Sequence, residues 1–515
     1  MKSVSKDAAS VREEARQQAT QSLALRVRSG VLWTLLGNIS QQVLRIGFSV
    51  ALARLLSPRE FGLIGMAAVF TGFASMYVSL GLGQAIVQRK DLSPQHLSSA
   101  FTISLSSAAV LCLLLNLFAA PIANIYQEPA LKPIIHVLSF QFVLSAFTLV
   151  HSALLQRGMR FKELSLIELT SFIAGSLTAV AVAWFGGGVW SLVANAMTMS
   201  STSLVLLWWR SGWKPSFGFV KSAAADLWAY SKNLVGFNTI YYWARNADSY
   251  LIGKYCGAVD LGVYSRAYQL MMLPITQITQ VVSSVMFPAL CRVGHDITRL
   301  RDAILRAHRT IALVSFPTMV MVSLLAEPLI LAVFGEKWRG VVPMLRVLAW
   351  TGLGQSLGIQ HLIYNTLGRT DVTFKIGGLN SALMIFSFLV GLPWGAVGVA
   401  VSYTIIWWAF VFPIGWSVAS RMIGTSLTQI LWNLREVVIC TIVMGVFVQF
   451  TYLFSRGLVH PIIQLLLSST IGCAAYVVAV RALRVRAYHE ALSLTRNKRN
   501  AFSRSTNHVP NASDS

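Results

Sequence analysis

Five polar side chains near the start of this sequence fall on one line. Asn38, Gln41, Gln42, Arg45 and Ser49 stand at i, i+3, i+4, i+7 and i+11. At 100° per residue they lie within about 60° of a common helix face. The surrounding run is apolar, and an arginine at a bilayer centre costs about 2.5–3.5 kcal/mol on insertion scales, so this face is expected to look into protein or a wet cavity. Two hundred residues later Asn238, Tyr241, Tyr242, Arg245 and Ser249 repeat the stripe. The chemistry such a pair of arginines suits is capture of an anion, most economically a phosphate or diphosphate, by a planar fork of donors.

A structural role competes at each position. Arg245 has Asp248 one turn on and can be neutralised by it, whereas Arg45 has Phe48 in that place, with Glu168 as a rival acid. Arg266 and Arg346 lie near the ends of apolar runs, where snorkelling explains a cation as well. The expected substrate contacts are therefore Arg45, Arg245, Asn38, Gln42, Asn238, Tyr241 and Arg266. Asp248 and Glu168 are the acids available for coupling to protons or Na⁺, with pairing to arginine as the plainer role. His151 and His361 are lone histidines in apolar runs, which fits hydrogen-bonded packing.

Other chemistries find no support. There is no G-x-x-x-x-G-K-[ST] and no H-E-x-x-H, so the chain is not read as an enzyme. The five cysteines are scattered without CxxC or Cys/His spacing, and neither a metal, a cofactor nor a disulfide framework is expected.

The elements that must carry these stripes are membrane helices. Hydrophobic residues make up 55% of the chain and charged ones 12%, about half the roughly 25% usual in soluble proteins. Mean hydropathy is +0.61. Apolar runs occur near 31–54, 61–87, 98–119, 134–155, 164–184, 188–209, 228–252, 262–290, 308–334, 341–366, 374–391, 394–419, 431–454 and 461–482. A hydrocarbon core about 30 Å thick takes about 20 such residues per helix, so the fold class is an all-α polytopic membrane protein of about fourteen spans.

The net charge of +23 is spread as a topology signal and not as a nucleic-acid surface. With the N-terminus inside, 30 of the 42 Lys and Arg fall in inner segments and the helix ends beside them. That excess places both termini in the cytoplasm and adds contact with anionic lipid. Residues 1–29 lack an apolar core and are read as a cytoplasmic tail, not a cleavable signal; 484–515 are read as a disordered basic tail.

The offset of 200 residues extends beyond the stripe. Gly62 and Ala67 recur as Gly262 and Ala267, so that five of the thirty positions 38–67 are identical in register. Six spans separate the copies, and an even number keeps both in the same direction, which gives parallel repeats about an axis along the membrane normal. The expected domains are a six-helix bundle over 30–210, a second over 228–420 and two additional helices over 430–482. A cleft on the repeat axis, lined by the two stripes, follows from this arrangement. Pro274, Pro317 and Pro413 are expected to kink their helices, and Gly62, Gly65 and Gly72 to soften the second span.

Four segments carry a family resemblance: Arg54-Leu-Leu-Ser-Pro-Arg-Glu-Phe-Gly-Leu63, Gly81-Leu-Gly-Gln-Ala-Ile-Val-Gln-Arg-Lys-Asp91, Leu154-Leu-Gln-Arg-Gly-Met-Arg-Phe161 and Gly262-Val-Tyr-Ser-Arg-Ala-Tyr268. Together they resemble bacterial polysaccharide-transport flippases, closest to the branch exporting colanic acid and xanthan-type repeat units, within the multidrug/oligosaccharidyl-lipid/polysaccharide exporter superfamily. The resemblance implies a V-shaped pair of six-helix bundles in the inner membrane. It also implies an undecaprenyl-diphosphate-linked oligosaccharide as substrate, with a polysaccharide polymerase or copolymerase as a natural neighbour. An ion-coupled small-molecule antiporter would favour acids in the cavity, and a membrane polymerase would carry a large outer loop; neither feature is present.

Overall fold

The computed structural model describes residues 41–488 except Leu80, Lys90, Phe217, Phe219, Gly294, His295 and Ala487. For 221–238, 240, 278–289 and 291–293 it describes the backbone alone. Asn38 and nearly all of both tails thus lie outside the described residues. Among those described, all regular structure is helical. The chain divides into two compact units, Met1–Trp243 and Ala244–Ser515.

The first unit holds α1 (41–55), α2 (Pro58–Ser79), α3 (Leu82–Gln88), α4 (Pro94–Tyr126), α5 (Leu131–Arg157), α6 (Phe161–Trp184) and α7 (Trp190–Ser211). The divide falls inside α8 (Lys221–Val293), which joins the seventh and eighth apolar runs through Gly257. Gly257 has φ 89°, a left-handed value that glycine adopts at no steric cost. The second unit continues with α9 (Ile297–Leu324), α10 (Ala326–Val333), α11 (Val341–Ser356), α12 (Gln360–Thr366), α13 (Thr370–Gly391), α14 (Gly395–Ile406), α15 (Phe412–Met422), α16 (Leu427–Trp432), α17 (Arg435–Ser455) and α18 (Pro461–Ala482). Among the described residues nine helical stretches are long and apolar enough to cross a membrane. One of them, Thr370–Met422, contains both runs read at 374–391 and 394–419.

Several boundaries move for identifiable reasons. The stretch 291–307, left between the apolar runs 262–290 and 308–334, is helical from Ile297, because the Asp296 side chain accepts from the backbone N–H of Thr298 (3.0 Å) and Arg299 (3.1 Å) and so caps α9 early. The run 308–334 breaks at Leu325 into α9 and α10, and the run 341–366 breaks between Ser356 and Gln360. Pro317 sits inside a continuous α9, and Pro413 follows a π turn at Trp407–Val411.

In the first unit α5 is the central helix, packed against α2, α3, α4, α6 and α7. Behind it Leu82, Ile86, Phe101, Leu149 and Val150 form a buried cluster that fixes the short α3 onto α4 and α5. In the second unit the terminal hairpin α17–α18 is tied to the rest by Glu327. Its carboxylate accepts the Tyr452 hydroxyl (2.8 Å) and meets Arg346 (3.4 Å), Arg339 (3.4 Å) and Arg456 (3.8 Å). Tyr476 of α18 donates to the Leu313 carbonyl of α9 (2.8 Å).

Candidate substrate-contacting surfaces

Arg45 is exposed on α1, its guanidinium carbon 5.5 Å above the ring of Phe172 on α6. Phe48, at the place an acid would occupy, packs edge-on against the same ring (5.9 Å). Glu168 is exposed, and neither it nor Arg45 makes an ion pair among the described residues. Gln42 is half-buried on the same helix. The cation therefore rests on an aromatic face with its N–H fork available.

The copy of the stripe on α8 is built differently. Tyr242 donates to the carbonyls of Ala68 (3.1 Å) and Val69 (2.9 Å) on α2, and Thr239 meets the Tyr77 hydroxyl (2.6 Å). Trp243 packs against Phe70 and Phe73. Gly72 makes room for this contact: a Cβ there would collide with the Tyr242 hydroxyl. Its role is close approach, a correction to the reading of Gly72 as a softener of the span. Tyr241 is exposed beside this anchor, and the Asn238 side chain lies outside the described residues.

Further along α8, Arg245 is exposed and Asp248 buried. The Asp248 carboxylate accepts the Ser249 amide (2.6 Å) and the Tyr264 hydroxyl (3.0 Å). Those two donors hold it in the packing of the second unit. Arg266 is buried, donating Nη1 to Gln269 Oε1 (2.8 Å) with its guanidinium 5.8 Å from the Trp338 ring. His151 is also buried, with Nδ1 2.5 Å from Ser211 Oγ, and packs against Trp208, as a packing histidine does. Among the described residues no cluster of His, Cys, Asp and Glu is arranged to hold a metal.

Sequence reading missed a third polar stripe. Ser145, Thr148, Ser152 and Gln156 stand at i, i+3, i+7 and i+11 on α5 and fall within about 80° of arc. They line a cavity of about 470 Å³ whose other wall is the end of α2 and the start of α3, including Ser79 and Gln84. The spacing was visible; small hydroxyls in an apolar run pass for packing. Two of the recognisable segments meet here, because Arg157 Nη1 donates to the carbonyls of Ile86 (3.0 Å) and Arg89 and clamps α3 to α5.

The family model described as polysaccharide biosynthesis protein matches residues 51–343, more than half of the 515. The chain belongs to this family. It is 27% identical to the teichuronic acid biosynthesis protein TuaB of Bacillus subtilis (strain 168), over 92% of this chain and 98% of the relative. It is 26% identical to the succinoglycan biosynthesis transport protein ExoT of Rhizobium meliloti (strain 1021), over 89% and 93%. The lipopolysaccharide biosynthesis protein WzxC of Escherichia coli (strain K12) matches at 25% over 75% and 79%. Among solved structures, the lipid II flippase MurJ in an inward closed conformation superposes with a TM-score of 0.70 at 14% identity, over 88% of this chain and 99% of that one. An inward-facing multidrug resistance MATE family transporter of the MOP superfamily gives 0.57 at 14% identity, over 75% and 94%. The fold is thus the one shared by these exporters. This family member is a multi-pass membrane protein; among its relatives ExoT is named a transport protein.

Proposed function

We infer that this protein is a flippase that moves undecaprenyl-diphosphate-linked oligosaccharide repeat units across the bacterial inner membrane for exopolysaccharide or surface-polysaccharide assembly. The observation that carries the reading is Arg45: a cation at membrane depth, without an acidic partner among the described residues, in a chain of the polysaccharide biosynthesis family. A diphosphate supplies the missing charge. Arg45 and Arg245 are the proposed head-group contacts, with Asn38, Gln42, Asn238, Tyr241 and Arg266 as further substrate contacts. Arg266 is the least favoured, being already engaged by Gln269 and Trp338.

Asp248 and Glu168 are the acids proposed for coupling to an ion gradient. The two hydrogen bonds Asp248 accepts favour a structural role for it. The proposed topology has both termini in the cytoplasm, six-helix bundles over 30–210 and 228–420, and two added helices over 430–482. A polymerase or copolymerase is the proposed neighbour, since the product must be consumed on the far side.

The test uses proteoliposomes holding the purified protein and undecaprenyl-diphosphate oligosaccharide with a labelled sugar. Leaflet exchange should be fast with the wild-type protein and fall at least tenfold in Arg45→Ala, the loss expected for a charge-assisted contact of about 1.5–3 kcal/mol. Exchange equal to that of protein-free vesicles, with or without a proton or Na⁺ gradient, would overturn the reading.

A further inference from the structure

The cleft between α5 and the α2–α3 junction has no part in the arginine chemistry. We propose that it is a binding subsite for neutral sugar residues of the oligosaccharide, so that the glycan and the diphosphate are read by different surfaces. This rests on the flippase reading for its biological setting and on the cleft's own chemistry for its ligand class.

The lining decides the class. Ser79, Gln84, Ser145, Thr148, Ser152 and Gln156 bring hydroxyls and carboxamides, and no charged side chain borders the cleft among the described residues. Three of the four hydroxyl protons are already committed to the helix backbone: Ser79 donates to Met76 O (3.3 Å), Thr148 to Ser145 O (2.8 Å) and Ser152 to Leu149 O (2.9 Å). Their oxygens remain as acceptors. The carboxamides of Gln84 and Gln156 make no hydrogen bond among the described residues, and each offers donors and an acceptor. A surface with both kinds of group and no charge matches the alternating donor and acceptor pattern of sugar hydroxyls. It offers an isolated phosphate or carboxylate no counter-ion.

Depth argues in the same direction. From Ser145 to Gln156 the stripe runs about 16 Å along α5, half the thickness of a hydrocarbon core of about 30 Å. Polar groups over that depth are not left facing lipid; they line protein or a wet cavity. The helix that carries them is the central one of its unit, and Leu149 and Ala153, also at the cleft, belong to the buried cluster behind it. The subsite is therefore preformed, and about 470 Å³ lies within the range of small-molecule sites.

Gly83 offers a clean test. It lines the cleft, lies on α3, and a Cβ added there meets nothing within 4 Å. Gly83→Leu should fill the space without a backbone clash, and leucine favours helix over glycine. Binding is read first, by saturation-transfer NMR on the purified full-length protein, with the neutral repeat-unit oligosaccharide released from the producing cells' lipid-linked pool as probe. Wild type should give sugar signals, and Gly83→Leu and Gln84→Ala/Gln156→Ala should weaken binding at least tenfold. No binding by wild type, or equal binding by all three, would overturn the subsite.

Transport is read second, in proteoliposomes with undecaprenyl diphosphate carrying either the whole unit or its first sugar alone. Gly83→Leu should lower the ratio of whole-unit to single-sugar rates at least tenfold. An unchanged ratio would also overturn the proposal. Sugar binding without any transport would instead leave the subsite standing and remove the flippase reading.

Discussion

The two units each enclose a lateral cleft, and the two clefts have opposite linings. That of the first unit is neutral and polar, about 470 Å³, walled by α2, α3 and α5. That of the second is about 980 Å³ between α9, α11 and α17, with Phe316, Leu324, Trp350, Ile442, Val446 and Phe450 among its walls. Both reach the middle of a membrane-length helix: Ser145 is near the centre of α5 and Val446 near the centre of α17. At equal depth, a hydroxyl stripe needs a polar occupant, whereas an apolar wall is satisfied by hydrocarbon. The contrast also follows the architecture. The polar cleft is made by α2, α3 and α5 alone, and the apolar one borrows α17 of the C-terminal hairpin.

The largest expected effect comes from placing the same charge in each cleft. Val446→Lys should cost about 2.5–3.5 kcal/mol, the insertion penalty of a central lysine, and Ser145→Lys less than half of that, because its ammonium meets hydroxyls, carboxamides and water. Thermal unfolding in detergent, followed by monodispersity, measures both; equal losses would erase the contrast. Next is the contact of α2 with Tyr242. Gly72→Ala should destabilise by about 1–3 kcal/mol through overpacking against Tyr242, read as a lower unfolding midpoint.

Tyr242→Phe removes the hydroxyl shared by the Ala68 and Val69 carbonyls and should cost about 0.5–1.5 kcal/mol in the same assay. The smallest effect belongs to the turn after Gln156. The paired Arg160 guanidinium holds the Glu163 carboxyl below its ordinary range, through a hydrogen bond first and charge attraction second. Its contribution is present above the ordinary carboxylate pKa and is lost as pH falls through the lowered value. The pair is exposed, so the loss should stay under about 1 kcal/mol, and wild type and Glu163→Gln should converge in stability at acid pH.

The helical, membrane-spanning character was legible because hydropathy is a local signal, as the nine long apolar helical stretches among the described residues bear out. The family segments were equally plain, and the all-helical membrane fold followed. What escaped depends on partners distant in sequence. Tyr242 looked like a cavity residue until α2 supplied two carbonyls and a glycine to receive it. Asp248 keeps Arg245 as a charged neighbour and also accepts the hydroxyl of Tyr264, sixteen residues on across the Gly257 turn, which the spacing did not show. The early start of α9 turned on one capping aspartate, and the polar cleft on Arg157 pulling two separate segments together.

The central claim is that polar surface at membrane depth in this protein is substrate surface and wet, while apolar surface is lipid-facing and dry. Thiol labelling tests it most directly. In a background with the native cysteines replaced, Ser152→Cys and Val446→Cys would each be exposed in proteoliposomes to a membrane-impermeant maleimide, with and without the lipid-linked oligosaccharide. The account predicts that Cys at 152 reacts and is protected by the oligosaccharide, and that Cys at 446 stays unlabelled in both conditions. An unreactive 152, or labelling of 446 at the same rate, would contradict it.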